Sequence, residues 1–545
     1  MSEISILNGY KIKDKKAVRY YDSISNMKSD TTLKAGMYVK TKGYYESDDG
    51  GSGEYIIVDD DTLVDDGGSI HVLTNGLRAK LIINDKINIL QFGAKKDGSE
   101  DIGNIVNTAI NNGYTNIYLP KGDYLVSTTI DLDDITGFNM YGEMFGTYKD
   151  SLNATRLIGN TGALPMISLI GARHISLEKL CLISTDDTET PSTLGILQGC
   201  STEHQYSQWI NLTNIHINLI SSETANSNNG SIGIYNWQSE LNSYINVFAY
   251  ADIPVYLTRD DELQIAQNNG AILPVHDSLT GNNYTNLETQ SKKEYTICIG
   301  GESMTFTGFY GQGTVKFLTN SRGDYQTNNI FIQGVVERNT ANTIGATFEI
   351  TPRVKLQRSY LNVTSVRHTK PFYCSTSHQR MSDNIFNIAG NFSSGVYADS
   401  EIQFVNNIIY KGSLLINNIY SQGNIILGGD VSKTTANSNL SLLNDGTIYC
   451  NGVGFGFSDS KPTRTDLPDN SLIINTGNNR FVGWKYKAST SEWLPVGVGV
   501  PVETDTGSIS VQTPLYVGQL LHNVSDNSMW ISYATTTGAW KQITN

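Results

Sequence analysis

The chain has 545 residues, with 51 Gly, 30 Tyr, only 12 Pro, 17% charged residues and a formal net charge of −14. Such a balance fits a β-rich protein with many short turns and excludes a disordered chain or a mainly helical enzyme. The negative charge argues against non-specific binding to nucleic acid or anionic membranes, and an anionic ligand would need a local basic patch.

The N-terminal residues MSEISILNGYKIKDKKAVRYY lack the apolar core of a signal peptide, and no apolar run is long enough to cross a bilayer. A product of the cytoplasm is therefore expected. The stretch TLKAGMYVKTKGYYESDDGGSGEYIIVDD, from Thr32, reads as a separate β-rich segment. Its acidic loop offers Asp48, Asp49 and Glu54 as oxygen ligands, but the spacing is not that of an EF-hand, so a solvated turn is expected.

INILQFGAKKDGSEDIGNIVNTAINNG, from Ile87 to Gly113, predicts a short strand, a Gly/Asp turn and one helix. Ile102, Ile105, Val106, Ala109 and Ile110 share a helical face, with Ser99 or Asp101 as N-cap and Gly113 at the stop. In the following TNIYLPKGDYLVSTTIDL, Tyr124, Val126, Thr128, Ile130 and Leu132 alternate with polar residues, as in a half-buried strand.

Beyond Gly137 a unit recurs. HISLEKLCLI from His174 aligns with WINLTNIHIN from Trp209, so that Ile175 matches Ile210, Leu177 matches Leu212 and Leu180 matches Ile215. NIFIQGVV from Asn329, SYLNVTSV from Ser359 and NIFNIAGN from Asn384 repeat the pattern. Short alternating strands at such offsets point to a β-solenoid rather than a sandwich or propeller, with the helix as a lid on the first coil. Near the C-terminus a second repeat pairs Trp484 with Trp530 and Trp493 with Trp540. These Trp could pack a hairpin core or a trimer interface, or stack on sugar rings; packing is preferred.

FGAKKDGSEDIGNIVNTAINNG followed by IYLPKGDYLV resembles the opening of the pectate-lyase-like right-handed β-helix of phage tailspikes and pre-neck appendages. The resemblance implies an all-β fold: a right-handed parallel β-helix with an N-terminal capping helix, flanked by small β-rich modules. It further implies a homotrimer in the virion that binds, and often cleaves, a host surface polysaccharide. The segment before the helix resembles the β-module of phage structural proteins from Gram-positive hosts, and the Trp repeats resemble hairpins at the ends of phage tail proteins. The expected organisation is a virion-attachment module at 1–86 bound to tail or collar proteins, the β-helix at 87–440, and tandem Trp hairpins at 441–545. Wall teichoic acid or a capsular polysaccharide is the expected polymer.

No nucleophile, zinc or P-loop motif stands out, and the five cysteines read as buried hydrophobes. No cofactor is indicated, although a divalent metal would be compatible with phosphodiester cleavage. A solenoid instead builds sites from columns of residues on successive coils. Matching Asn329 to Ser359 sets Glu337 over Arg367 and Arg338 over His368, an acid among cations suited to an anionic polymer. Glycoside cleavage needs two carboxyls, so Glu337 is the candidate acid with Glu302 or Asp324 as partner. Tyr235, Trp237 and Glu240 form a second acid-and-aromatic group for sugar binding. Paired acids in a groove would mark a depolymerase; aromatics without them would mark a non-catalytic adhesin of the same fold. A free lyase is disfavoured.

Overall fold

The computed structural model describes residues 18–83, 85–144, 146, 154–185, 187–204, 206–219, 230–272 and 278–318, the pairs 6–7 and 10–11, and chiefly strands from 326 to 542. It comprises two units, Met1–Arg322 and Gly323–Asn545.

The first unit opens with a five-stranded sheet in the order Arg19–Tyr21, Tyr38–Thr41, Glu54–Val58, Arg78–Leu81, Ile70–Val72. The first pair is parallel and the others antiparallel. Alternation along these strands buries Val39, Tyr55, Ile57, Ala79 and Leu81. The acidic loop closes on itself: Asp49 accepts from the backbone N–H groups of Tyr44, Tyr45, Glu46 and Gly51 at 3.1, 2.7, 3.2 and 2.7 Å. Burial opposes the charge, yet the four amides together hold its carboxyl below the usual range. That carboxylate is a turn-closing acceptor.

The capping helix forms at Ile102–Asn111. Asp101 is its N-cap, accepting from Gly103 N at 3.0 Å and also from Ser127 N at 2.9 Å, so one carboxylate joins helix to strand. Ile102, Val106, Ala109 and Ile110 are buried, and the helix packs on the strands Gly122–Val126 and Ile130–Asp131. The alternating segment is thus two strands rather than one. Between them Asn107 takes over the backbone groups, donating to Thr129 O at 2.8 Å and accepting from Asp131 N at 2.9 Å. Gly103 sits where an added Cβ would lie 1.9 Å from Thr128 O, so only glycine fits.

From Ile87–Asn88 onward the strands pair in parallel, coil upon coil, forming a parallel β-helix with three faces. On one face Ser176, Asn211, Ser243, Asn283 and Thr305 stand in line. On the second the line is Leu157, Leu182, Ile217, Ala249 and Thr289. On the third Ile130, Ile167, Ile196, Ile234, Val255, Ile297 and Val315 form one buried column. Aromatic rings stack inside, Tyr244 on Tyr284 at 4.6 Å and Tyr284 on Phe306 at 4.7 Å. Buried amides satisfy the backbone at one corner: Asn242 accepts from Ile210 N at 2.8 Å, and Asn282 from Asn242 N at 3.0 Å. An outer ladder joins Asn214, Asn246 and Asn286 at 3.0 Å per step. All three are left-handed, at φ 55°, 53° and 52°, a conformation Asn tolerates.

In the second unit parallel pairing runs through Tyr360–Ser365 and Ile385–Gly390 to Leu440–Leu442, where it turns antiparallel. Asn384 accepts from Ser359 N at 2.9 Å and Asn407 from Asn384 N at 3.1 Å, repeating the amide device. Antiparallel pairing then joins Leu472–Asn475, Gly483–Lys487 and Glu492–Val496, and a separate four-stranded sheet adds Val502–Thr504 in parallel to the antiparallel Leu520–Asn523, Ser528–Ser532 and Trp540–Gln542. In the latter Trp540 is buried and packs with Leu521 and Trp530. The side chains of Trp484 and Trp493 lie outside the described residues. Cys181, Cys200 and Cys298 are buried, and among the described residues no helix is long and apolar enough to cross a membrane.

The ladders give a direct stability comparison. Tyr284→Ala removes the middle ring of the internal stack and is expected to cost about 3–5 kcal/mol, whereas Asn246→Ala on the exposed ladder costs about 1 kcal/mol or less. Urea unfolding followed by tryptophan fluorescence measures both; equal losses would contradict the internal stack as the stronger element.

Candidate functional site

At the corner where the third face passes into the first, one residue of each coil stands in register with the next. Arg173 pairs with Gln208 and Gln208 with Glu240, while parallel bridges link Glu240 to Thr280 and Thr280 to Glu302. The result is a polar column Arg173–Gln208–Glu240–Thr280–Glu302, all partly exposed. Gln208 Nε2 donates to Glu240 Oε2 at 2.9 Å. Arg259 Nη2 lies 2.8 Å from Glu302 Oε1, and its side chain is 8% exposed. With a rung spacing of about 4.8 Å, the backbones of Glu240 and Glu302 are about 10 Å apart.

The residue after each member of the column takes a left-handed conformation: His174, Trp209, Leu241, Gly281 and Ser303 at φ 54°, 55°, 56°, 67° and 53°. Glycine would serve this bend without strain, as it does at position 281, whereas a bulky residue there costs about 1–3 kcal/mol. Three coils nonetheless carry large side chains, and these lie outside. The His174 and Trp209 rings stack at 4.5 Å and 9°, Trp209 is 38% exposed and Leu241 50%. An aromatic and apolar strip therefore runs beside the acidic column. Flat apolar faces next to directed polar groups are what a sugar ring requires.

The excursion 259–272 supports this corner. Tyr235 and Tyr256 stack at 5.3 Å on the outer side of the third face, and the excursion covers them. Trp237 is fully buried; its Nε1 and the Gln238 amide both donate to Arg259 O at 2.7 Å. Together they fix the arginine that holds Glu302. Tyr235 donates to Asp261 at 2.5 Å, and Asp261 also accepts from Ala266 N and Gln267 N at 3.2 and 2.8 Å, anchoring the short helix Ile265–Asn268. Tyr256 donates to Glu262 at 2.9 Å. Although Glu262 as a residue is solvent-exposed, burial of its carboxyl end, reinforced by the Asp260 charge, pushes it up to about 7. A cavity of about 280 Å³ beside the excursion is lined, among the described residues, by neutral side chains that include Leu194, Ile232, Leu263, Ile265, Asn268 and Asn269.

Of the residues singled out in the sequence, Glu240 and Glu302 share the column. Tyr235 and Trp237 point away from the coil but not to solvent: the excursion buries both, so they are struts rather than sugar platforms. Asp324, Arg338, Arg367 and His368 lie outside the described residues. Glu337 ends the strand Gly334–Glu337, whose register with the next coil is Gly334 to Leu361 and Val336 to Val363. That register differs from the match of Asn329 to Ser359 on which the pairing of Glu337 with Arg367 rests. Sequence reasoning passed over Arg173, His174, Gln208, Trp209 and Arg259. The alignment of His174 with Trp209 did carry the stack; their exposure carried no signal. Among the described residues no group of His, Cys, Asp and Glu is arranged to hold a metal ion.

Residues 20–84 match the model of the phage tail protein small four-stranded beta-sheet domain. Among solved structures, the tailspike protein 2 of Escherichia coli O157:H7 bacteriophage CAB120 is similar over 85% of this chain and 53% of that one, at 14% identity and TM-score 0.38. The tailspike of Acinetobacter phage vB_ApiP_P1 is similar over 96% and 90%, at 14% identity and TM-score 0.46. A tailspike of Acinetobacter baumannii bacteriophage Fri1, described as a capsular polysaccharide depolymerase, is similar over 76% and 71%, at 14% identity and TM-score 0.41. This chain thus spans about half the length of the first of them. No curated protein matches the sequence.

The raised Glu262 carboxyl gives the excursion a pH dependence of defined sign. Unfolded, Glu262 ionises near its ordinary 4.5; folded, near 7. The more protonated state is the folded one, so local stability falls as pH rises from about 4.5 to about 7 and is level above. Amide exchange at Ala266 and Gln267 should speed up relative to its intrinsic rate across that range. Glu262→Gln should remove the trend and slow exchange at pH 8; an unchanged trend would show that another group governs the excursion.

Proposed function

We propose that this chain is a phage tail appendage that binds and depolymerises a glycopolymer of the host cell surface, with its site on the Glu240–Glu302 column. The observation that carries the reading is two glutamates on alternate rungs beside an exposed strip of His174, Trp209 and Leu241. The match of residues 20–84 to a phage tail domain supports a virion location, with that module attached to tail or collar proteins. A homotrimer is part of this reading, and the packing of Trp530 and Trp540 supports a structural role for the C-terminal repeats.

The spacing favours hydrolysis with inversion. Inverting glycosidases hold their carboxyls about 6.5–9.5 Å apart to admit a water, while retaining ones need about 5–5.5 Å. Alternate rungs suit the former. Glu302 takes a proton from the water as its oxygen attacks the anomeric carbon; the glycosidic C–O bond breaks, and Glu240 gives its proton to the leaving oxygen. The partners support these roles. Arg259 has only donors and can serve only an acceptor oxygen, as a base requires, whereas the Gln208 amide can turn to serve Glu240 in either protonation state.

Host capsule or wall polymer incubated with the protein tests this, with chain length followed by size exclusion and anomeric configuration by NMR. Cleavage with inversion is expected. Glu240→Gln and Glu302→Gln should each slow it about 10²–10⁴-fold with binding retained, and Trp209→Ala should weaken binding about tenfold. Binding with chain length unchanged would make the protein an adhesin; cleavage unaffected in both glutamate variants would place the chemistry elsewhere.

A further inference from the structure

The acids at this corner each have a partner. Glu240 is bonded by Gln208, Glu302 by Arg259, and Asp134 by Ser201, with His204 Nδ1 at 3.5 Å. Glu178, on the same face, pairs with Lys179 at 2.9 Å. Arg173, at the head of the column, is the exception. Its backbone N–H bonds to Ile135 O at 2.9 Å, but its guanidinium makes no ion pair among the described residues, and its Nε is buried without a hydrogen-bond partner. A buried donor left unmade costs about 1–3 kcal/mol, more when charged. The neighbours at this corner could have supplied an acid, since Glu240 stands only two rungs away, yet Gln208 occupies the rung between and binds Glu240 instead.

Resting on the glycan-cleaving reading of the column, we propose that Arg173 recognises a carboxylate of the polymer, so that the substrate is an acidic polysaccharide carrying uronic-type sugars. A guanidinium is a planar fork that meets a carboxylate through two parallel N–H···O bonds, and here the donors are already partly stripped of water. The His174 and Trp209 rings begin beside it, so a sugar stacked on them brings a ring carboxylate toward the fork. Arg173 lies two rungs, about 10 Å, from Glu240, so the charge it reads belongs to a sugar beyond the reacting bond. It selects the polymer and registers it along the column without entering the chemistry. The chain as a whole carries −14, so an acidic polymer is accepted only where such a local cation stands.

Purified acidic host polysaccharide and the same polymer after carbodiimide–borohydride reduction of its carboxyls provide the test, with binding and cleavage measured for the full chain. Wild type should bind the reduced polymer about 10–100-fold more weakly than the native one. Arg173→Gln should lose the same factor on the native polymer and nothing further on the reduced one, while Arg173→Lys recovers part of it; circular dichroism confirms the fold of each variant. Equal binding of native and reduced polymer by wild type, with both cleaved, overturns the proposal and leaves the glycan reading intact. Failure to bind or cleave either polymer overturns both. The wild-type comparison decides the matter even if no Arg173 variant folds.

Discussion

Everything in the solenoid depends on one repeated contact: a strand laid in parallel on its predecessor at about 4.8 Å. That contact converts distance along the chain into position in a column. Ile130 and Val315 are remote in sequence, yet they are ends of one buried line. Identical positions then need mutually compatible side chains, which is why rings stack on rings inside and asparagines bond to asparagines at the corners. Each column is stabilising only while it is unbroken, so the first coil needs the helix Ile102–Asn111 as its terminus. Asp101 makes that closure specific by serving the helix and the adjoining strand together.

The same repetition limits where function can be placed. Inward positions are committed to packing and the ladders to backbone satisfaction, leaving the outer corners. At this corner the chain accepts strained left-handed conformations at His174, Trp209 and Leu241 where glycine would relieve them. It also inserts the excursion that begins at Arg259, which is expensive in ordered backbone but seats Arg259 over Glu302. Trp237 belongs to that support: buried beneath the excursion, it anchors the arginine carbonyl and so reaches the acid only through Arg259.

Much of the fold was legible because columns leave a trace as sequence offsets. The alignment of Leu177 with Leu212 is the observed register, as is that of the 359 strand with the 384 strand. The helix was equally plain, since amphipathic spacing is local, and of the two cap candidates, Ser99 and Asp101, the structure uses Asp101. The match of Asn329 to Ser359 failed for a definite reason: coil length varies with the turns, so an alignment of similar strands does not fix the offset between coils. Trp237 failed for another. An alternating strand shows which residues point outward from the coil but not whether something later in the chain covers them, and that cover comes from Leu263, Ile265, Ala266 and Ala271. Arg173 was illegible because what distinguishes it is the ion-pair partner it lacks among the described residues.

The rung spacing also bears on why two acids at this corner stand apart. Carboxylates on neighbouring rungs would face each other at about 4.8 Å, close enough for like charges to oppose one another and for one to be forced neutral. Thr280 occupies the rung between Glu240 and Glu302, contributing a hydroxyl and no charge. Each glutamate then has its own partner, an amide for one and a guanidinium for the other, supplied from different directions. A solenoid can offer carboxyl pairs only near whole multiples of its pitch, before side chains lean. One multiple approximates the geometry of a covalent intermediate, and two leave room for a water. With the middle rung held by threonine, the two glutamates of this corner have the wider of the two spacings.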